Sequence, residues 1–177
     1  EEKCLSDLRH MGVDEVYMLF SYRSGSIFPS KVRPQADPFK GKDIIKQLVK
    51  KLHENGMRVH AWVVTLMFDN PHFCKEHKEL YVINKLGVSC VDRPPYVSEY
   101  KWLCPSREEV MRFVVDYFLE IASHYEVDGV HLDYIRYPDV LLPVALRSKY
   151  EGVPKEDVIK PEFGYRYCSH CRDAFRE

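Results

Sequence analysis

No run of apolar residues in this sequence approaches the roughly 20 needed to span a bilayer as a helix, so no transmembrane segment is expected. Charge of one sign is also missing. A formal net charge of −1 offers neither a basic face for nucleic acid nor an electrostatic pull toward anionic lipid. No basic n-region followed by an apolar stretch opens the chain, which starts at Glu1, so no signal peptide is visible. The six cysteines, at 4, 74, 90, 104, 168 and 171, are too sparse for a disulfide-built miniprotein and leave the redox compartment open. There is no low-complexity segment and no internal repeat beyond a helix–strand alternation.

What is present fits a globular domain. A 45% hydrophobic and 30% charged composition is ordinary for one, and 177 residues suffice for a real core. Twelve tyrosines and nine phenylalanines fit such a core first, and ligand stacking second.

Three stretches read as buried strands: VDEVYMLF (13–20), MRVHAWVV (57–64) and VDGVHLDY (127–134). A helical pattern precedes each. Cys4, Leu5, Leu8 and Met11 form the first stripe, with Gly12 as its C′ residue. Ile44, Ile45, Leu48, Val49 and Leu52 form the second, closed by Asn55-Gly56. Val110, Phe113, Val114, Tyr117, Phe118 and Ile121 form the third, and Ser106 to Glu109 fits a capping box at its start. Such alternation predicts a parallel sheet with helical crossovers.

Connection lengths show where function should sit. From helix to strand the chain spends one or two residues. From strand to helix it spends about twenty (21–41) and then about forty (65–105), where typical connections run roughly 2–6. Even if part of the second connection forms a short helix around Phe73–Leu80, the asymmetry remains. All the surplus therefore lies beyond the C-terminal ends of the strands, the ligand face of parallel α/β folds. Three strands cannot close a barrel, which needs eight. The expected fold class is α/β, a partial (β/α)8 TIM barrel holding about strands 2 to 4 with their helices. An open α/β layer is the alternative. Residues 1–177 are then one barrel domain, incomplete at both ends.

Side chains alternate along a strand. In 127–134 the apolar Val130 and Leu132 suit the helix layer, so His131 and Asp133 point inward, Asp133 level with the ligand face. An isolated carboxylate in a dry core costs several kcal/mol, and Arg136 is the nearest candidate partner. A structural Asp–Arg or Asp–Tyr pair that holds the loop is the plain alternative to a catalytic role. In 57–64, Val59, Ala61 and Val63 can face the helices, leaving His60 and Trp62 inside. An indole near the mouth can stack on an apolar sugar face or simply pack in the core.

HAW (60–62), WLCPS (102–106) and VDGVHLDYIRYP (127–138) resemble the glycosyl-hydrolase-like family 10, bacterial (β/α)8-barrel proteins that are often lipoproteins. FPS (28–30), DPF (37–39) and LYVINKLG (80–87) agree with it. The resemblance implies a glycosidase acting on polysaccharide or on peptidoglycan glycan strands, outside the cytoplasm, with no cofactor. It makes Asp133 the catalytic carboxylate. His60, Trp62, His131, Tyr134, Arg136 and Tyr137 would line the substrate site. Two departures stand out. Val63-Val64-Thr65 follows HAW where relatives tend to carry Asn, and Asp69 and Asn70 come only later. A second carboxylate, which glycoside hydrolysis normally needs, is also not evident. Asp69 and Asp139 lie on the right face but read as ordinary loop residues, so the partner is expected on a later strand.

Two other functions fit the same residues. His131, Asp133 and His60 could hold a catalytic metal of a hydrolase, or the barrel could bind carbohydrate without cleaving it. Apart from these, Cys168 and Cys171 are weak metal candidates. A CxxC pair supplies half of a tetrahedral zinc site, which His170 and Cys90 or Cys104 could complete. A redox pair and free thiols remain open.

Overall fold

The computed structural model describes residues 2–138, 141–142, 144–149, 153 and 160–176. Asp139 lies outside them. The chain divides into two compact units, one of residues 1–65 and 113–133, the other of residues 66–112 and 134–177.

In the first unit, α1 (Glu2–His10), β1 (Glu15–Tyr22), β2 (Gly25–Ser26), α2 (Ile45–Glu54), β3 (Arg58–Val64) and β4 (Gly129–Asp133) follow in order. The sheet order is β2-β1-β3-β4. The pairs β1–β3 and β3–β4 are parallel, as the alternation predicts, whereas β2 runs antiparallel to β1. This short fourth strand was not expected. It lies inside the long 21–41 connection, where Ser26 and Gly25 fold back on Ser21 and Tyr22. Gly12 and Gly56, at φ +73° and +78°, end the first two helices in the left-handed region that favours glycine.

Period two decides which side of the sheet is core. Val59, Ala61 and Val63 are buried against Ile45, Val49 and Leu52 of α2, together with Phe20, Tyr117 and Ile121. The last two belong to α4 (Glu108–His124). Val130 and Leu132 turn to the same side but stay 44% and 41% exposed, because β4 is the outer strand.

The C-terminal ends of β1 and β3 are tied by a buried cation. Arg33, 1% exposed, donates through Nη1 to Ser21 Oγ (2.6 Å) and the Val64 carbonyl (2.8 Å), and through Nη2 to the Thr65 carbonyl. Its guanidinium lies over the rings of Tyr117 (4.8 Å) and Phe113 (5.3 Å). Planar delocalised charge and several donors suit arginine, not lysine, to this place. Ser30 of the FPS motif accepts from the backbone N–H of Arg33 at 2.9 Å and donates to Glu120, fixing the loop that carries the cation.

The second unit is built largely from loops. Its helices are α3 (Pro71–Glu76), capped by Asn70 Oδ1 accepting from the Phe73 N–H at 3.1 Å, then α5 (Val144–Arg147) and α6 (Ser169–Arg176). α3 is followed by one 3-10 turn, Lys78–Leu80. Isolated bridges Met67–Trp102, Tyr81–Leu103 and Asn84–Tyr165 hold the long connection together around Trp102, Tyr81 and Leu103. Asn84 explains part of the LYVINKLG motif. Its side chain accepts from the Leu86 and Val88 N–H groups and donates to the Glu162 carbonyl at 2.8 Å, so a buried amide organises the turn. Ser106 is used otherwise than as a cap. The helix starts at Glu108, and the Ser106 hydroxyl lies 3.2 Å from the Tyr137 hydroxyl.

Candidate functional site

The parallel register sets Tyr17 beside His60, His60 beside Gly129, Trp62 beside His131 and Val64 beside Asp133. Partners in register share a face, so these side chains stand opposite the helix-covered core. Their rings touch. Tyr17 stacks on His60 with centroids 4.8 Å apart and meets His131 edge-on at 5.3 Å. Trp62 is T-shaped to His131 at 6.3 Å. At the C-terminal end of this aromatic row, Trp62 Nε1 donates to Asp133 Oδ2 at 2.9 Å. Trp62 keeps 37% of its surface exposed.

Several residues place this row without belonging to it. A Cβ at Gly129 would come within 2.5 Å of His60 Nδ1, so the glycine makes room for the imidazole. His60 Nε2 lies 3.7 Å from Glu15 Oε2, beyond hydrogen-bond reach, and is buried with no hydrogen bond. Asp128, just before β4, accepts from the Val59 N–H (2.7 Å) and His53 Nε2 (2.9 Å), and its own N–H reaches the Val59 carbonyl (2.8 Å). These bonds, the Val59 N–H first and His53 second, hold its carboxyl below the ordinary 3.8. Asp128 thereby pins the start of β4 to β3 and sets the register of the row.

His60, His131 and Asp133 do not gather as metal ligands. Among the described residues the one group of three or more donors within 4.8 Å of one another is Cys104, Cys168 and Cys171. The Tyr17 ring is in contact with both imidazoles.

Tyr134, Arg136 and Tyr137 belong to the second unit. Tyr134 takes φ +51°, an uncommon conformation for a bulky residue, directly after Asp133. Its ring lies 5.5 Å from Trp102, and the Arg136 guanidinium lies over both, at 5.0 Å from Trp102 and 5.4 Å from Tyr134. Trp102 is wholly buried and its Nε1 has no hydrogen-bond partner. Asp69 accepts from Lys101 Nζ at 2.6 Å, both side chains mostly buried, which makes it an ion-paired structural residue.

Residues 1–143 match the family described as glycosyl hydrolase-like 10. The chain belongs to this family. Glycosyl hydrolase DigH of Escherichia coli K12 is 26% identical over 147 residues, covering 73% of this chain and 32% of that protein. Glycosyl hydrolase YngK of Bacillus subtilis 168 is 27% identical over 150 residues, covering 77% and 28%. The chain thus spans about a third of the length of the curated relatives it matches.

Among solved structures, a hypothetical protein from Ruminiclostridium thermocellum matches at TM-score 0.60 and 19% identity, over 78% of this chain and 70% of that one. Alpha-L-fucosidase isoenzyme 2 from Paenibacillus thiaminolyticus matches at 0.63 and 16%, over 99% and 25%. The maltogenic alpha-amylase AmyB from Thermotoga neapolitana matches at 0.53 and 18%, over 84% and 36%. At such identities the likeness concerns the fold alone. The fold is a partial α/β barrel, and the family is glycosyl hydrolase-like.

Within this glycosyl hydrolase-like chain the HAW motif supplies His60 and Trp62, and VDGVHLDY supplies the clip Asp128, the spacer Gly129, His131 and Asp133. Tyr17 and Glu15 escaped the sequence reading, since VDEVYMLF looks like a wholly buried strand. The alternation of Tyr17 with the core-facing Val16 and Met18 was the signal available. No helix among the described residues is long and apolar enough to cross a membrane.

Proposed function

We propose that the chain contributes part of the active site of a glycoside hydrolase, with Asp133 as a catalytic carboxylate. The observation that carries this reading is the Trp62 Nε1 to Asp133 Oδ2 bond at the C-terminal ends of two parallel strands. The ends of barrel strands are where such folds place catalytic groups. An indole with a free face beside a carboxylate suits a sugar ring, whose C–H face stacks while its acetal presents the bond to be cleaved. Trp62 orients the carboxylate. His60 and His131, with Tyr17, form the floor. The family resemblance adds Tyr134, Arg136 and Tyr137 as substrate-binding residues.

The substrate we propose is a polysaccharide or the glycan strand of peptidoglycan, which sets the site of action outside the cytoplasm. Residues 1–177 form part of one barrel domain in this account. The second carboxylate comes from a later strand, at roughly 5–5.5 Å for retention or 6.5–9.5 Å for inversion. Incubating the full-length protein with isolated glycan strands and assaying new reducing ends tests the reading. Turnover is expected. Saturable glycan binding without any new reducing ends would favour a non-catalytic carbohydrate-binding barrel instead.

A further inference from the structure

Cys104 meets the distant CxxC pair Cys168 and Cys171 in the second unit. Cys104 Sγ lies 3.7 Å from Cys168 Sγ and 3.3 Å from Cys171 Sγ, and the latter two are 3.3 Å apart. All three residues are buried, and none forms a disulfide. Three thiolates around one tetrahedral zinc, with Zn–S of about 2.3 Å, stand roughly 3.8 Å from one another. A small outward adjustment brings the triangle to that spacing.

The surroundings are those of a thiolate site. Cys168 immediately precedes α6, and the Cys171 N–H points at Cys168 Sγ from 3.5 Å, where a helix N-terminus favours negative sulfur. The Tyr137 hydroxyl lies 3.6 Å from Cys171 Sγ and 3.2 Å from Ser106 Oγ, so two hydroxyls border the triangle. Arg166 lies over the Tyr137 ring at 4.7 Å. Arg107, whose N–H donates to the Cys104 carbonyl at 3.1 Å, has a buried Nε with no hydrogen-bond partner.

We propose that Cys104, Cys168 and Cys171 bind one zinc ion as three thiolates, with a solvent oxygen beside the Ser106 and Tyr137 hydroxyls as fourth ligand. Each thiol gives up its proton on binding, and no electron is transferred. The resulting cluster carries one net negative charge. The ion ties the WLCPS segment to the start of α6, a structural role separate from Asp133. A Cys168–Cys171 redox pair would leave the third buried thiol unexplained. Cys90 is engaged elsewhere, accepting from the Trp102 N–H at 3.3 Å, and His170 is exposed.

The test is metal analysis of the full-length protein purified under reducing conditions, followed by exchange with cobalt(II) alone. About one zinc per chain is expected, and cobalt should give intense sulfur-to-metal charge-transfer absorption. That absorption should be lost in C171S and kept in C90S. Titration of the unmodified protein with a mercurial should release the zinc as three thiols react, a readout that needs no variant to fold. Absence of zinc and of cobalt absorption in the reduced protein, or a Cys168–Cys171 disulfide in the protein as isolated, overturns the proposal.

Discussion

The indole N–H of Trp62 donates to the carboxylate of Asp133 across neighbouring parallel strands, at 2.9 Å. One residue comes from HAW and the other from VDGVHLDY, 71 positions apart. What joins them is register, with Trp62 beside His131 and Val64 beside Asp133.

Trp62→Phe keeps an aromatic face and removes the donor. A hydrogen bond to a charged group contributes about 1.5–3 kcal/mol. If it holds Asp133 in its working orientation, kcat should fall about 10–100-fold, with KM for glycan little changed. Steady-state kinetics of the full-length protein check this.

Gly129→Ala forces a methyl against His60 Nδ1, and Tyr17 stacked on the imidazole prevents an easy retreat. Overpacking of this kind costs about 1–3 kcal/mol. Urea unfolding should show the loss, and the His60 ring resonances should shift.

Asp128→Asn bears on pH dependence. Its carboxyl titrates lower in the folded state than its ordinary 3.8, so it stabilises the fold above that pH. This stability is lost as pH falls through the lowered folded value. The gap in urea midpoint between the parent and Asp128→Asn should be widest at neutral pH and close below pH of about 3.8. A gap independent of pH would mean that the carboxylate charge is not what clips β4 to β3.

Arg33→Met removes the donors shared by Ser21, Val64 and Thr65 and leaves buried acceptors behind. A loss of at least about 2 kcal/mol is expected. Arg33→Lys should recover little of it, since one ammonium cannot span the same acceptors between two rings.

The sequence made the helix–strand order, the parallel pairing and the two faces of β3 legible, because burial imposes period two on strands and a stripe on helices. The interior placement of His60, Trp62, His131 and Asp133 followed from the same alternation. Arg33 was not legible, since a single basic residue in a long loop gives no hint that it will be buried beneath two rings. Asp128 was hidden in the same way. Its role depends on a backbone N–H at Val59 and on His53, which only the folded register brings within reach. Cys104 was one of several possible partners for the CxxC pair, and spacing could not choose between it and Cys90. The folded loops decide, with Cys90 against the Trp102 backbone and Cys104 among the thiols.

The most direct test of the account is Asp133→Asn in the full-length protein, assayed for new reducing ends on isolated glycan strands and for glycan affinity. Turnover should fall by about 10²–10⁴-fold while the dissociation constant stays within a few-fold of the parent. Unchanged turnover in a folded variant would contradict a catalytic role for Asp133.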